Sequence, residues 1–221
     1  GYGQAKILAY DNQAIVRDRA SALQPGDAKY QVFKAAWDEG MVGTDWQDEV
    51  LRRGSYSNYE VSVNGGSDAY SYHLSGSYFN EEGVIVNSGL DRYLIRLNTH
   101  YKFSEWVSGS ASVSYMNSER TNYKDGLWGG VMGPAMIADP ISPAYVIRDG
   151  KEVFGPVLWS LTENPVAVTD RMQYDISRND QIVSNMGLDI KLMDGLTFSS
   201  KYGVSINFNR PRTFNPEYQI N

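Results

Sequence analysis

The chain has 221 residues, 42% of them hydrophobic and 21% charged, with a formal net charge of -6. That apolar content excludes a disordered tail and suffices for a sizeable core, while the acidic balance argues against a nucleic-acid partner. There is no cysteine, so disulfides, thiolate metal sites and thiol chemistry are excluded.

No signal peptide opens the chain: "GYGQAKILAYDNQ" lacks a charged start and an apolar stretch, so it reads as mature or internal. "YDNQAIVRDRASAL" and "DAKYQVFKAAWDEGM" have helix-favouring composition, broken at Pro25 and Gly26. "TDWQDEVLRRG" predicts a short helix. Thr44 and Gln47 would form a capping box, Asp48 with Arg52 and Glu49 with Arg53 would pair at i,i+4, and Gly54 would end the turn.

From Tyr59 onward the hydrophobic period becomes two. "YEVSVNGG" puts Tyr59, Val61 and Val63 on one face. "YSYHLSGSY" puts Tyr70, Tyr72, Leu74 and Tyr78 on one face and Ser71, His73, Ser75 and Ser77 on the other. "DRYLIRLNTHYKF" sets Tyr93, Ile95, Leu97, Tyr101 and Phe103 against Arg92, Arg96, Asn98, His100 and Lys102. "VSGSASVSY" alternates apolar residues with serines. "IVSNMGLDIKL" sets Ile182, Met186, Leu188 and Ile190 against Asn185, Asp189 and Lys191. "LTFSSKYGVSINFN" sets Phe198, Tyr202, Val204 and Ile206 against Ser199, Lys201 and Ser205.

These are six strands of roughly membrane-spanning length, a tilted crossing needing about 9–11 residues. The links at 65–68, 103–106 and 193–195 are tight, that at 80–89 is longer, and that from about 118 to 180 is very long. Short turns at one end and long loops at the other are the pattern of an outer-membrane barrel. The polar faces carry Ser, Asn and charges of both signs, as a lumen would. No apolar run approaches the ~20 residues of a transmembrane helix, and a mean hydropathy of -0.43 says nothing against strands that alternate. The fold class expected is therefore all-β: antiparallel strands of a large transmembrane β-barrel, with a partly helical extracellular loop segment at the N-terminal end. Residues 1–56 form that loop segment, 57–117 barrel strands, 118–179 a long extracellular loop with a small hairpin turning at Asp149 and Gly150, and 180–221 further strands and the start of the next loop. The lipid-facing set is Tyr70, Tyr72, Leu74, Tyr78, Ile95, Leu97, Leu188, Ile190, Val204 and Ile206. The lumen-facing set is His73, Arg92, Arg96, His100, Asn185 and Lys201. The alternative is a secreted or surface β-sandwich that binds glycans through its long loops.

Chemistry-bearing candidates are few. Asp45, Asp48 and Glu49 are explained by helix capping and pairing rather than acid/base work. His73 and His100 share a face but are expected several residues apart along neighbouring strands, too far to share a metal. No GxSxG elbow, Walker loop, HExxH or CxxC occurs. No catalytic residue, metal or cofactor is expected. Trp46, Trp128 and Tyr145 are candidates for ligand or partner contact; for the tryptophans, packing within the loop is the favoured plain reading.

The ordered set "GTDWQDEV", "NYEVSVNGGSDAYSYHLSGSYFNEEGVIVNSGLDRYLIRLN", "ADPISPAYVIRDGKEV", "ENPVA" and "MDGLTFSSKYG" resembles the SusC/RagA-type TonB-dependent transporters of Bacteroidetes outer membranes. The resemblance covers residues 43–209, while "GYGQAKILA" departs from the family pattern. It implies a barrel of about 22 strands with a plugged lumen. The six strands would be its second to seventh, with the plug and the remaining strands outside this chain. It also implies a nutrient importer rather than an enzyme, seated in the bacterial outer membrane. Its partners would be a SusD-like surface lipoprotein, TonB acting through the missing N-terminal part, membrane lipid, and an oligosaccharide or peptide substrate. No nucleic acid is implied.

Overall fold

The structure is a computed structural model that describes residues 31, 34, 35, 43–123, 126, 129–157, 162–214 and 216. Of the helices expected before residue 43, only Gln31, Lys34 and Ala35 fall among them, and these are helical. The elements are α1 (Trp46–Val50), β1 (Ser55–Gly66), β2 (Tyr70–Glu82), β3 (Gly89–Lys102), β4 (Val107–Thr121), α2 (Met132–Ile137), β5 (Tyr145–Arg148), β6 (Lys151–Phe154), α3 (Pro165–Met172), β7 (Asp175–Met193) and β8 (Leu196–Thr213). The chain divides into two compact units. One holds residues 53–122 and 172–214; the other holds residues 1–52, 123–171 and 215–221.

The first unit is a six-stranded antiparallel meander in the order β1-β2-β3-β4-β7-β8. Its three hairpins close tightly. Ser67 N–H bonds the Tyr70 carbonyl at 2.7 Å, Phe103 N–H bonds the Val107 carbonyl at 2.9 Å, and Gly195 takes φ +83 in the link from β7 to β8. The other two links leave from the opposite end, after the pairs Glu82–Gly89 and Thr121–Ile176. The loop asymmetry of the sequence is thus present. The strands run further toward the long-loop end than expected, to Glu82 and Thr121, and β7 begins at Asp175. At 19 residues, β7 exceeds what a crossing needs.

Among the described residues this unit contains a single sheet, so the sandwich alternative finds no second layer within it. Exposed large hydrophobics lie along its strands, among them Val61, Ile95, Leu97, Leu188, Tyr202 and Ile206. Buried apolar residues are instead concentrated in the other unit, where Trp46, Val50, Val131, Ala135, Ala138, Ala144, Val166, Ala167 and Val168 form a small core. That unit contains the expected hairpin. Arg148 pairs with Lys151 across Asp149 (φ 52) and Gly150 (φ 73), the positive angles of a type I′ turn.

Helix α1 departs from the sequence reading in two ways. Its cap is Asp45, whose Oδ1 accepts from the N–H groups of Gln47 (3.1 Å) and Asp48 (3.2 Å). Thr44 is drawn elsewhere: its hydroxyl donates to the Ser142 carbonyl at 2.8 Å. The helix ends at Val50, and Leu51 is already extended (φ -110, ψ 146), so Arg52 and Arg53 do not continue the helical surface that an i,i+4 pair requires. The stop therefore falls three residues before Gly54.

Candidate functional site

The register assigns every strand residue to one of two faces. Val63 lies opposite Leu74, Leu74 opposite Leu97, and Leu97 opposite Val113. Val113 lies opposite Ser184, and Ser184 opposite Val204. This row belongs to a single apolar face that crosses all six strands. Tyr70, Tyr72, Leu74, Tyr78, Ile95, Leu97, Leu188, Ile190, Val204 and Ile206 all lie on it. His73, Arg92, Arg96, His100, Asn185 and Lys201 all lie on the opposite face, with the serines of β4.

His73 is opposite Asn98, and His100 is opposite Ser71. The two histidines are thus a diagonal pair on adjacent strands, closer than the several-residue separation read from the sequence. Among the described residues, no group of three His, Asp or Glu is placed to hold a metal ion.

Aromatic residues bound the apolar face at both ends. At the tight-turn end, Tyr101 and Phe103 pack with ring centroids 4.9 Å apart, and Tyr101 lies opposite Tyr70. At the long-loop end, Tyr78 stacks on Tyr93 at 4.8 Å. Just beyond lie two copies of one polar device. The Tyr78 hydroxyl and the Asn80 amide both donate to Asp91 Oδ1, at 2.8 and 3.0 Å. The Tyr115 hydroxyl and the Asn117 amide both donate to Asp180 Oδ1, at 2.7 Å each. In each, a Tyr-x-Asn on one strand grips an aspartate that faces the Asn on the next strand. The recurrence of "YFN" at 78–80 and "YMN" at 115–117 was the sequence signal for it.

These clamps and the turns are staggered in the same direction. The row through Ser71 runs on through His100, Ser110 and Gly187. The β3–β4 hairpin closes two residues past that row, at Lys102, and the β7–β8 hairpin six residues past it, at Met193. The second clamp is likewise displaced toward the turns, since Tyr115 shares its row with Ile95 and Gly76 rather than with Tyr78. The clamps are staggered by one residue per strand and the turns by an average of one and a half, which at about 3.3 Å per residue and about 4.8 Å between strands is a tilt of roughly 35–45°. Closed barrels tilt their strands by that amount. Ten residues separate Phe198 from Phe208 on β8; at that tilt they span about 25 Å, the height of a barrel's apolar band.

The polar face carries an aromatic stack absent from the sequence reading. Tyr56 packs on Phe79 with ring centroids 6.3 Å apart, and the Arg92 guanidinium lies over the Phe79 ring, 5.0 Å from its centroid. An open concavity of about 500 Å³ adjoins it, lined by Tyr56, Phe79, Glu81 and Glu82 among others.

In the other unit the sequence motifs converge. Trp46, 2% exposed, donates its indole N–H to the Asp139 carbonyl at 2.9 Å, so it serves as a buried anchor and offers no ring face to a ligand. Thr44 N–H bonds the Pro140 carbonyl at 2.6 Å, and a Cβ on Gly43 would meet that same oxygen at 2.8 Å. "GTDW" and "ADPIS" are therefore two sides of one contact. Asn164 of "ENPVA" caps α3, accepting from Val166 and Ala167 N–H at 2.9 and 3.3 Å. Its amide also donates to the carbonyls of Ala144 and Gly155, both at 2.9 Å. Pro165 follows at the first helical position, where its missing N–H costs nothing. Tyr145 is half-exposed and packs on Phe154 at 5.7 Å. Partial burial, then the carboxylates of Glu49, Glu152 and Asp170, push its phenol above the usual tyrosine range, so it stays a neutral donor. Trp128 lies outside the described residues.

A tilted antiparallel meander with one apolar face, aromatic borders and sorted loops defines the class: a section of the wall of an outer-membrane β-barrel. No family model matches the chain. It is 28% identical over 197 residues to the TonB-dependent receptor P3 of Formosa agariphila, covering 84% of this chain and 19% of that protein. It is 25% identical over 217 residues to the TonB-dependent receptor SusC of Bacteroides thetaiotaomicron, covering 86% and 21%. Its fold matches the RagAB peptide importer in the closed-closed state with a TM-score of 0.59 at 21% identity, over 80% of this chain and 20% of that one. The chain thus resembles the SusC-type TonB-dependent receptors over most of its length, and its fold is that of an outer-membrane β-barrel wall. It spans about a fifth of the length of the curated relatives it matches.

Proposed function

We propose that the chain supplies barrel wall and extracellular loops to an importer, not an enzyme, that takes up oligosaccharides or peptides with a SusD-like lipoprotein. In this reading the lipoprotein captures cargo at the cell surface, and TonB, acting on a part of the protein outside this chain, displaces the plug. The apolar face meets lipid, and the Ser, His, Asn and Arg face lines the lumen. The loop unit of residues 123–171, inserted between β4 and β7, is extracellular, and Tyr145 and Trp128 are its candidates for partner contact. The observation that carries the reading is the single apolar face continued through six strands, its large hydrophobic side chains exposed.

Lysine at Leu188 or Ile206 in the full-length receptor is the test. On a lipid face near mid-membrane each costs about 2–4 kcal/mol and reduces assembled, heat-modifiable barrel. Lysine at Asn185 or Ser205, on the opposite face, leaves assembly near the parent level. Normal assembly of the Leu188→Lys and Ile206→Lys proteins would reverse the orientation. Uptake of radiolabelled oligosaccharide and peptide panels, with and without the cognate lipoprotein gene, decides the cargo class.

A further inference from the structure

Above the aromatic border at the long-loop end, the strands continue on the same face as the apolar band, and their residues become charged. On the β4–β8 side this band holds Glu119, Arg178, Asp180, Arg210 and Arg212. Arg178 lies directly opposite Arg210, an arrangement of like charges that is unfavourable by itself. Each is balanced by one carboxylate: Arg178 Nε bonds Glu119 at 2.6 Å, and Arg210 bonds Asp180. Arg212, one row further out, has no ion pair among the described residues. Three guanidiniums thus face two carboxylates, and the guanidiniums of Arg178 and Arg210 remain more than half exposed. Two further acids of the band lie elsewhere, Asp91 on β3 directly opposite Glu119 and Glu82 on β2, so the surplus of guanidiniums is confined to β7 and β8. Directly below the arginines lie Phe208, Ile206 and Ile182.

We infer that Arg178, Arg210 and Arg212 form a seat for the phosphate of an outer-leaflet phosphorylated glycolipid, whose acyl chains lie on the apolar face beneath. The inference rests on the lipid-facing orientation proposed above. Guanidinium forks match phosphate oxygens in pairs, and the surplus positive charge selects an anion. The position selects a lipid: the cations stand at the height where headgroups begin, continuous with the surface that acyl chains would cover. A phosphate there also relieves the repulsion between Arg178 and Arg210.

The test uses the full-length receptor in detergent, with lipid A as probe and native mass spectrometry as readout. Arg212→Gln removes no ion pair among the described residues and leaves assembly intact. It lowers bound lipid A about fivefold, the effect of one cation near a membrane surface, and the triple Arg178→Gln, Arg210→Gln, Arg212→Gln protein lowers it further. Arg92→Gln and Arg96→Gln, on the opposite face, leave it unchanged. Lipid A stripped of phosphate binds no better to the parent than to the triple variant. Equal lipid A binding by parent and triple variant overturns the inference. So does retention of the stripped lipid by the parent equal to its retention of intact lipid A, or displacement of lipid A by inorganic phosphate at matched concentration, which would mark a free-anion site. If Leu188→Lys blocks assembly while these variants keep their lipid, the orientation stands and only the phosphate seat falls.

Discussion

Asn164 shows what one side chain does in the loop unit. Its amide satisfies two carbonyls and caps a helix, four hydrogen bonds in a site only 1% exposed. Asn164→Ala removes the side-chain partner of the Gly155 carbonyl and of two helix N–H groups, while the Ala144 carbonyl keeps the Gly155 N–H at 2.9 Å, at an expected cost of about 2–3 kcal/mol. The damage should be local. Hydrogen exchange should rise around residues 144–155 and 165–169 while the strands keep their protection. Trp46 carries the complementary lesson. Beside the charged "TDWQDEV" residues it read as a stacking platform or, by preference, a packed anchor, and the Asp139 carbonyl 93 residues away supplies the anchoring partner. No local pattern specifies such a partner. The capping box failed for the same reason, since Thr44 found a better acceptor in Ser142 than the helix could offer.

At the scale of elements, the clamps bind neighbouring strands just beyond the aromatic border at the long-loop end. Tyr115→Phe removes one donor to Asp180 and should cost about 1 kcal/mol, since Asn117 and Arg210 still hold the carboxylate. Asp180→Ala is worse, about 2–3 kcal/mol, because it leaves three donors without their acceptor. Urea-unfolding of the full-length receptor in lipid vesicles should therefore rank Asp180→Ala below Tyr115→Phe below the parent. Equal midpoints would mean that the clamps are solvated and contribute little. The strands themselves were readable from alternation, because residues two apart must share a face. Their outer ends were not, because charges replace apolar residues there while pairing continues.

For the whole molecule, the stagger of turns and clamps predicts strands tilted by roughly 35–45° to the barrel axis, a value that electron cryomicroscopy of the full receptor or polarised infrared spectroscopy would measure. Strands near-parallel to the axis would detach the clamps from any common membrane height. The sheet's apolar face and unpaired edges at β1 and β8 mean that this section is not stable in water alone. In the proposed orientation its stability comes from lipid and from further strands paired at those edges.

The sequence by itself determined the strand faces, the tight turns and the sorting of loops, since these depend on period two and on turn-forming residues near each other in the chain. With the ordered motifs it also pointed to the SusC-like class. Only the tertiary structure decided that those motifs meet, with Thr44 and Trp46 closing on residues 139–142 and Asn164 tying the hairpin to α3. It alone set the register that aligns two Tyr-x-Asn clamps with the barrel tilt and brings Arg178 against Arg210. Local periodicity assigns a residue to a face. Which residue it meets across tens of positions depends on hydrogen-bonded pairing, and that is fixed only when the strands come together.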